Sequence, residues 1–201
     1  GAGKTELQAQ RACFLLQTGA CVFPARILAL CFKRDAAKNL ANRVAARCSV
    51  DAARRFESYT YHAFAKHLLD RFLPAVPKVW RPKADYSIES YYPRDFRQFL
   101  NELNPESAIA SFAQIDQIDE RFFTHNIFCS VRALGEVPEA DPVSHWAASA
   151  IWMRLLRNSD RSILTFPMIT VLATLLLQHN QQILTALRAT YSHVFLDEFQ
   201  D

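Results

Sequence analysis

In YSHVFLDEFQD, residues 191–201, an apolar run ends directly on a pair of carboxylates. HVFL (193–196) has the pattern of a buried strand, and Asp197 and Glu198 stand at its C-terminal end. Taken alone, an acidic pair there is an ordinary helix cap or a solvated turn. The other end of the chain changes that reading. GAGKTE, residues 1–6, matches the second half of G-x-x-x-x-G-K-[ST], whose first small residue would lie ahead of Gly1. Gly1, Ala2 and Gly3 let backbone N–H groups curl around phosphate oxygens without Cβ clashes. The helix that follows points its positive end at the same anion. Lys4 can reach the β- and γ-phosphates, and the Thr5 hydroxyl can ligate Mg²⁺.

A strand ending in Asp-Glu supplies the other half of such a machine. Asp197 is expected to hold Mg²⁺, Glu198 to polarise an attacking water, and Gln200 to sense the γ-phosphate or the water. Each half-motif is weak by itself. Together, each in its own strand or helix context, they point to a nucleoside triphosphatase that uses Mg²⁺.

Between the ends the chain alternates. TELQAQRACFLLQ (5–17) reads as a helix with Gly19 as its stop. ILALCF (27–32) reads as a buried parallel strand, and RDAAKNLANRVAARC (34–48) as an amphipathic helix. Its apolar stripe is Ala37, Leu40, Ala41 and Val44, with Lys38, Arg43 and Arg47 on the wet side. FESYT (56–60) reads as a strand, followed by a helix over 62–72. From Pro74 onward the character shifts, with Pro74, Pro77, Pro82 and Pro93 breaking the chain. Helices are expected at 94–103, 116–128 and 144–158, with a turn at 135–138. Helices resume at 168–178 and 181–190 before the final strand. Such alternation predicts an α/β fold with a parallel sheet. Residues 1–72 and 163–201 form its framework, and residues 73–162 an inserted, mostly helical subdomain.

Composition fits an ordered domain: of 201 residues half are hydrophobic, fifteen are phenylalanine and four are glycine. No secretory signal and no membrane-length apolar run is visible. Five cysteines at 13, 21, 31, 48 and 129 form no C-x-x-C pair and show no zinc-like spacing with histidine. They read as reduced, buried thiols of a cytoplasmic protein. The net charge of +3 conceals an asymmetry. Residues 1–83 carry fifteen Lys/Arg against five Asp/Glu, and residues 84–201 carry eight against fifteen. A basic front half fits a polyanionic partner; long helices displaying solvated arginines give the same statistic.

Four stretches, in order, resemble the N-terminal, RecA-like ATP-binding domain of UvrD/Rep/PcrA-type superfamily I DNA helicases. GAGKTE, Glu6 included, resembles the end of the family's Walker A motif. ILALCFKRDAAKNLANRV resembles motif Ia, YTYHAFAKHLL motif Ib, and FLDEFQD the DExQD form of motif II. The resemblance covers essentially the whole chain, although 73–162 match only in position and character. It implies a RecA-like phosphate-loop fold and ATP-driven movement on single-stranded DNA or DNA junctions, with 3′→5′ polarity. It also implies that Phe32, Lys33, Arg34, Thr60 and His62 contact DNA. The residues agree: an aromatic at a strand end suits base stacking, and a hydroxyl and an imidazole at a strand-to-helix junction suit a phosphate. A strand phenylalanine is otherwise core, and a lone histidine otherwise structural.

The chain departs from the family pattern in places. Cys31 and Lys33 stand where relatives have threonines, and Tyr61 where they have phenylalanine. LTFPMI (164–169) stands where many relatives have an acidic Leu-Asp-Phe-Asp-Asp-Leu, which suggests a divergent branch rather than a housekeeping repair helicase; DNA repair or defence is the setting the resemblance implies. Two other classes compete. A nucleotide kinase or GTPase is one, though a GTPase would end its strand in D-x-x-G. A catalytically incomplete module that binds nucleic acid or a partner is the other. By the family pattern the segment is expected to be truncated at both ends. It would lack the second, C-terminal RecA-like domain and be inactive alone, and a partner nuclease would lie outside it.

Overall fold

The structure, a computed structural model, describes residues 2–91, 93–103, 111–130, 134 and 141–197. The chain divides into two compact units, residues 1–67 with 180–201, and residues 68–179. The first opens on α1 (Ala2–Gln17), which starts three residues earlier than its apolar spacing predicts. Gly3, Lys4 and Thr5 thus form the first helical turn. The helix stops where expected, with Gly19 at φ +74°, a left-handed conformation that a side chain would strain. β1 (Arg26–Cys31) follows, then α2 (Arg34–Ala45), the short α3 (Val50–Ala53), β2 (Phe56–Thr60) and α4 (Tyr61–Phe72). Ala37, Leu40 and Val44 of α2 are buried, as the stripe predicts, while Ala41 is half-buried.

Among its described residues the second unit's regular structure is helical apart from one strand pair. β3 (Tyr86–Ile88) and β4 (Ser162–Leu164) pair in parallel, Tyr86 opposite Ser162 and Ile88 opposite Leu164. Neither is expected from sequence: three residues are too few to show a period, and the pairing partner lies far along the chain. The helices are α5 (Pro93–Asn101), α6 (Phe112–Asp116), α7 (Glu120–Phe122), α8 (Pro142–Leu156) and α9 (Phe166–His179). The single helix expected over 116–128 is broken. The Asp119 carboxylate accepts the Phe122 N–H at 2.7 Å and starts α7, which widens into a π-helical turn at Phe123–Phe128. The turn expected at 135–138 lies outside the described residues.

An aromatic cluster sits within this unit's largely aliphatic core. Phe96 stacks edge-on against Phe128 at 4.6 Å and against Phe123 at 6.0 Å, and Phe128 meets Trp152 at 5.6 Å. The indole Nε1–H of the fully buried Trp152 donates to the Phe128 carbonyl at 3.0 Å. The divergent LTFPMI stretch is absorbed here. The Thr165 hydroxyl caps α9 by accepting the Met168 N–H at 3.3 Å, Pro167 sits in the first turn, and Met168 is wholly buried. The unit is wider than residues 73–162 on both sides.

The chain returns to the first unit with α10 (Gln181–Thr190) and β5 (Tyr191–Leu196). The sheet there is parallel, in the order β2-β1-β5. One face carries Ile27, Ala29, Cys31 and Phe56 into a core with Ala9, Ala12, Cys13 and Leu16 of α1 and the α2 stripe. β5 lies on the outside, and among the described residues it pairs only with β1. Its Val194 and Leu196 are 51% and 40% exposed. On the other face Arg26, Tyr59 and Tyr191 converge on Glu57 from all three strands. Burial alone would raise the Glu57 carboxyl, but Arg26 and Tyr191 more than offset it and hold it below its ordinary value.

The connection from α1 to β1 is held by one side chain. Arg55 donates to the carbonyls of Cys21 and Ala25, the latter at 2.8 Å, and lies 5.9 Å from the Phe23 ring centre. Its removal takes the guanidinium from two half-buried carbonyls and leaves that of Ala25 with the weak Cys21 thiol donor at 3.4 Å. Arg55→Ala is therefore expected to cost about 2 kcal/mol in urea unfolding. Arg55→Lys should recover less than half, because an ammonium lacks the planar fork that reaches both acceptors. A loss under about 0.5 kcal/mol would show that water replaces the guanidinium.

Candidate functional site

Parallel pairing decides where the chemistry gathers. Cys31 lies opposite Thr60, and Leu30 opposite Leu196, so all three strands end at the same edge of the sheet. Past that edge stand Phe32, Lys33 and Arg34 from β1, Tyr61 and His62 from β2, and Asp197 from β5. A parallel α/β sheet presents its ligands there, outside the carboxyl ends of the strands.

Asp197 is held by its backbone. Its N–H donates to the Leu30 carbonyl at 2.9 Å, and its own carbonyl accepts the Tyr61 hydroxyl at 3.3 Å. Both leave the carboxylate out of the pairing. Its charge reaches its neighbours: burial first, then the nearness of Asp197, lifts the Cys31 thiol above its ordinary range. Burial, Cys31 and Asp197 together do the same to the Tyr61 phenol. Cys31 and Tyr61 are two positions where the chain departs from the UvrD/Rep/PcrA pattern, and both are neutral hydrogen carriers beside a carboxylate.

α1 comes to this edge through a residue that sequence does not single out. Gln8 donates its side-chain N–H to the Leu196 carbonyl at 3.3 Å, immediately before Asp197. A glutamine on a helix reads as solvated, so its spacing carries no signal. One turn earlier stand Lys4, exposed, and Thr5, half-buried. The N–H groups of a first helical turn have no acceptor within the helix, and this turn carries no carboxylate. A Cβ placed on Gly3 would meet nothing within 4 Å. Among the described residues nothing closes that approach. The first-turn N–H groups, an ammonium and a hydroxyl, with a carboxylate at the end of the strand that Gln8 contacts, suit a polyphosphate carrying a divalent cation. Gly1, Glu198 and Gln200 lie outside the described residues, as does the side chain of Ala2.

Glu6 is engaged elsewhere. Its carboxylate pairs with Arg43 and, at 2.8 Å, with Arg47. The Gln10 amide, with those two guanidiniums, holds it below the ordinary carboxylate range. Arg43 and Arg47, expected on the wet side of α2, are thus ion-paired.

The residues expected to meet DNA take three forms. Phe32 is 58% exposed, so it is not core despite following a buried strand. Lys33 caps α2 with an extended backbone, and Arg34 opens that helix; both side chains are exposed. Thr60 caps α4 by accepting the Ala63 N–H at 3.2 Å, and His62 is exposed on the first turn.

The whole chain, residues 1–201, matches the family model described as the UvrD/REP helicase N-terminal domain. The chain belongs to this family. The UvrD/REP helicases are ATP-dependent DNA helicases, and membership accounts for the mixed α/β fold with its parallel sheet. Among curated proteins the chain is similar to the ATP-dependent DNA helicase PcrA of Leuconostoc citreum, 42% identical over 71 residues. That stretch covers 35% of this chain and 9% of the PcrA protein, so the match spans a small part of its length. Use of ATP with a divalent metal is general to UvrD/REP helicases. Among the described residues no helix is long and apolar enough to cross a membrane, and no cluster of metal-ligating side chains is preassembled. A divalent cation that arrives with a nucleotide needs no preassembled cluster, since water and the phosphates fill most of its shell and one or two protein oxygens complete it.

Proposed function

We propose that the full protein of which these residues form part couples ATP hydrolysis to movement along single-stranded DNA, in the 3′→5′ direction. One observation carries this reading: the first turn of α1, the end of β5 and an exposed Phe32 share one edge of one parallel sheet. In this reading Lys4 and the N–H groups around Gly3 hold the triphosphate and draw off the charge that develops on the transferred group. Thr5 and Asp197 would hold Mg²⁺, which when bound would supply positive charge to offset that of the triphosphate. Glu198 orients and deprotonates the attacking water, and Gln200 reports the γ-phosphate. Phe32 offers a face to a base, while Lys33, Arg34, Thr60 and His62 hold the DNA backbone.

Residues 68–179 serve as an inserted subdomain. A second RecA-like domain supplies the far wall of the nucleotide site, so the 201 residues alone hydrolyse ATP poorly and do not unwind DNA. A cytoplasmic location, a role in repair or defence and a partner nuclease belong to the same proposal. The test is ATP hydrolysis by the full-length protein with and without single-stranded DNA. Stimulation by DNA is the expected result, and equal rates under both conditions would refute the assignment.

Phe32 gives a sharper check. Phe32→Ala is expected to weaken binding of single-stranded DNA by about 1–3 kcal/mol, read by fluorescence anisotropy. The melting temperature should not move, because the ring contributes little to the core. Unchanged DNA affinity would assign the exposed ring some other role.

A further inference from the structure

We propose that Glu6, Arg43 and Arg47 form a clasp that couples the first turn of α1 to the DNA-facing start of α2. The inference rests on the helicase reading and adds to it a set of positioning residues. One Glu6 carboxylate oxygen accepts from Arg43; the other accepts from Arg47 at 2.8 Å and from Gln10 at 3.1 Å. Both oxygens are thus directed toward α2 and along α1. The two arginines are themselves fixed. The Arg43 guanidinium donates to Asn39 at 3.1 Å, and Arg47 donates to the Arg43 carbonyl at 2.8 Å. The Arg47 carbonyl in turn accepts from Gln17 of α1 at 2.9 Å.

The position of the clasp is what gives it a role. Glu6 directly follows Lys4 and Thr5. Arg43 belongs to the helix whose first residues, Lys33 and Arg34, follow Phe32. Beneath the clasp Ala37, Leu40 and Val44 pack in one core with Ala9, Ala12 and Leu16, so the two helices have a dry seam along which to shift as bodies. Ion pairs as open as these, with side chains roughly a third exposed, add little to stability. Their effect is to fix the register of one helix against the other. A base stacking on Phe32 and moving the start of α2 is thereby felt at Lys4 and Thr5, and a bound nucleotide is felt at Phe32. Linkage requires that coupling to be mutual.

The test uses the full-length protein and the double variant Arg43→Gln/Arg47→Gln, which touches neither ligand. Without DNA, its kcat and KM for ATP should match the parent. With saturating single-stranded DNA, its stimulation should fall about tenfold. Glu6→Gln should lower stimulation by a similar factor, and adding it to the double variant should bring no further loss. Full stimulation in the double variant would overturn the proposal. So would a raised KM for ATP in the absence of DNA, which would mean the arginines order the nucleotide site alone. A parent protein showing no stimulation at all would remove the helicase reading, and this inference with it.

Discussion

Lys4→Ala in the full-length protein should lower DNA-stimulated ATP hydrolysis by about 10²–10³-fold, the loss expected when one preorganised charge on the transferred group is removed. The ammonium stands in the first turn of α1, one turn ahead of the Gln8 that ties the helix to the end of β5. It is exposed, so its removal leaves the core untouched and the melting temperature unchanged. Most of the loss should appear in kcat, because charge builds on the γ-phosphate as the bond breaks. Affinity for single-stranded DNA measured without nucleotide should be unaffected, since the stacking and phosphate contacts proposed for Phe32, Lys33 and Arg34 do not involve Lys4. Retention of activity within about threefold would mean that Lys4 does not meet the transferred phosphate.

Trp152→Ala should produce the largest loss of stability, about 4 kcal/mol. The indole is wholly buried, stacks on Phe128 and meets Trp80 at 6.3 Å. Its N–H also satisfies the carbonyl of Phe128, at the end of the π-helical turn. Truncation therefore opens a cavity and leaves a buried acceptor without its donor, two costs that add. Trp152→Phe separates them: the cavity is mostly refilled, the acceptor stays unpaired, and about 1–3 kcal/mol should remain lost. Hydrogen exchange at the amides of α8 would show the loss locally. Unchanged protection in Trp152→Ala would mean that the Phe96–Phe123–Phe128 cluster holds this unit without it.

How much of this was legible in the sequence depended on how local each cause is. Most elements of the first unit are legible, β1 and β5 as apolar runs and the longer helices by their period, but the four-residue α3 and the exposure of Val194 and Leu196 on a strand that reads as buried are not. Asp197 and Lys4 stand out in the sequence, in the roles proposed for them, because phosphate binding demands particular residues at fixed spacing. What joins them does not. Gln8 meets Leu196, and Tyr61 meets the carbonyl of Asp197, through contacts between residues far apart in the chain. Nothing local distinguishes those side chains from solvated ones. Arg43 and Arg47 do lie on the wet side of the helix, as the wheel places them, but their pairing with Glu6 comes only from tertiary packing. The β3–β4 pair failed from shortness, and 116–128 from an aspartate that caps a new helix inside an otherwise periodic stretch.

The outer position of β5 has a practical side. A strand that, among the described residues, has no strand partner on one edge and exposes a valine and a leucine is a template for another strand, including the same strand of a second molecule. The 201 residues produced by themselves would carry that adhesive border into solution. Their yield would be governed by self-association as much as by folding, and a lysine at position 194 would be the first change to make in preparing them for biophysical work.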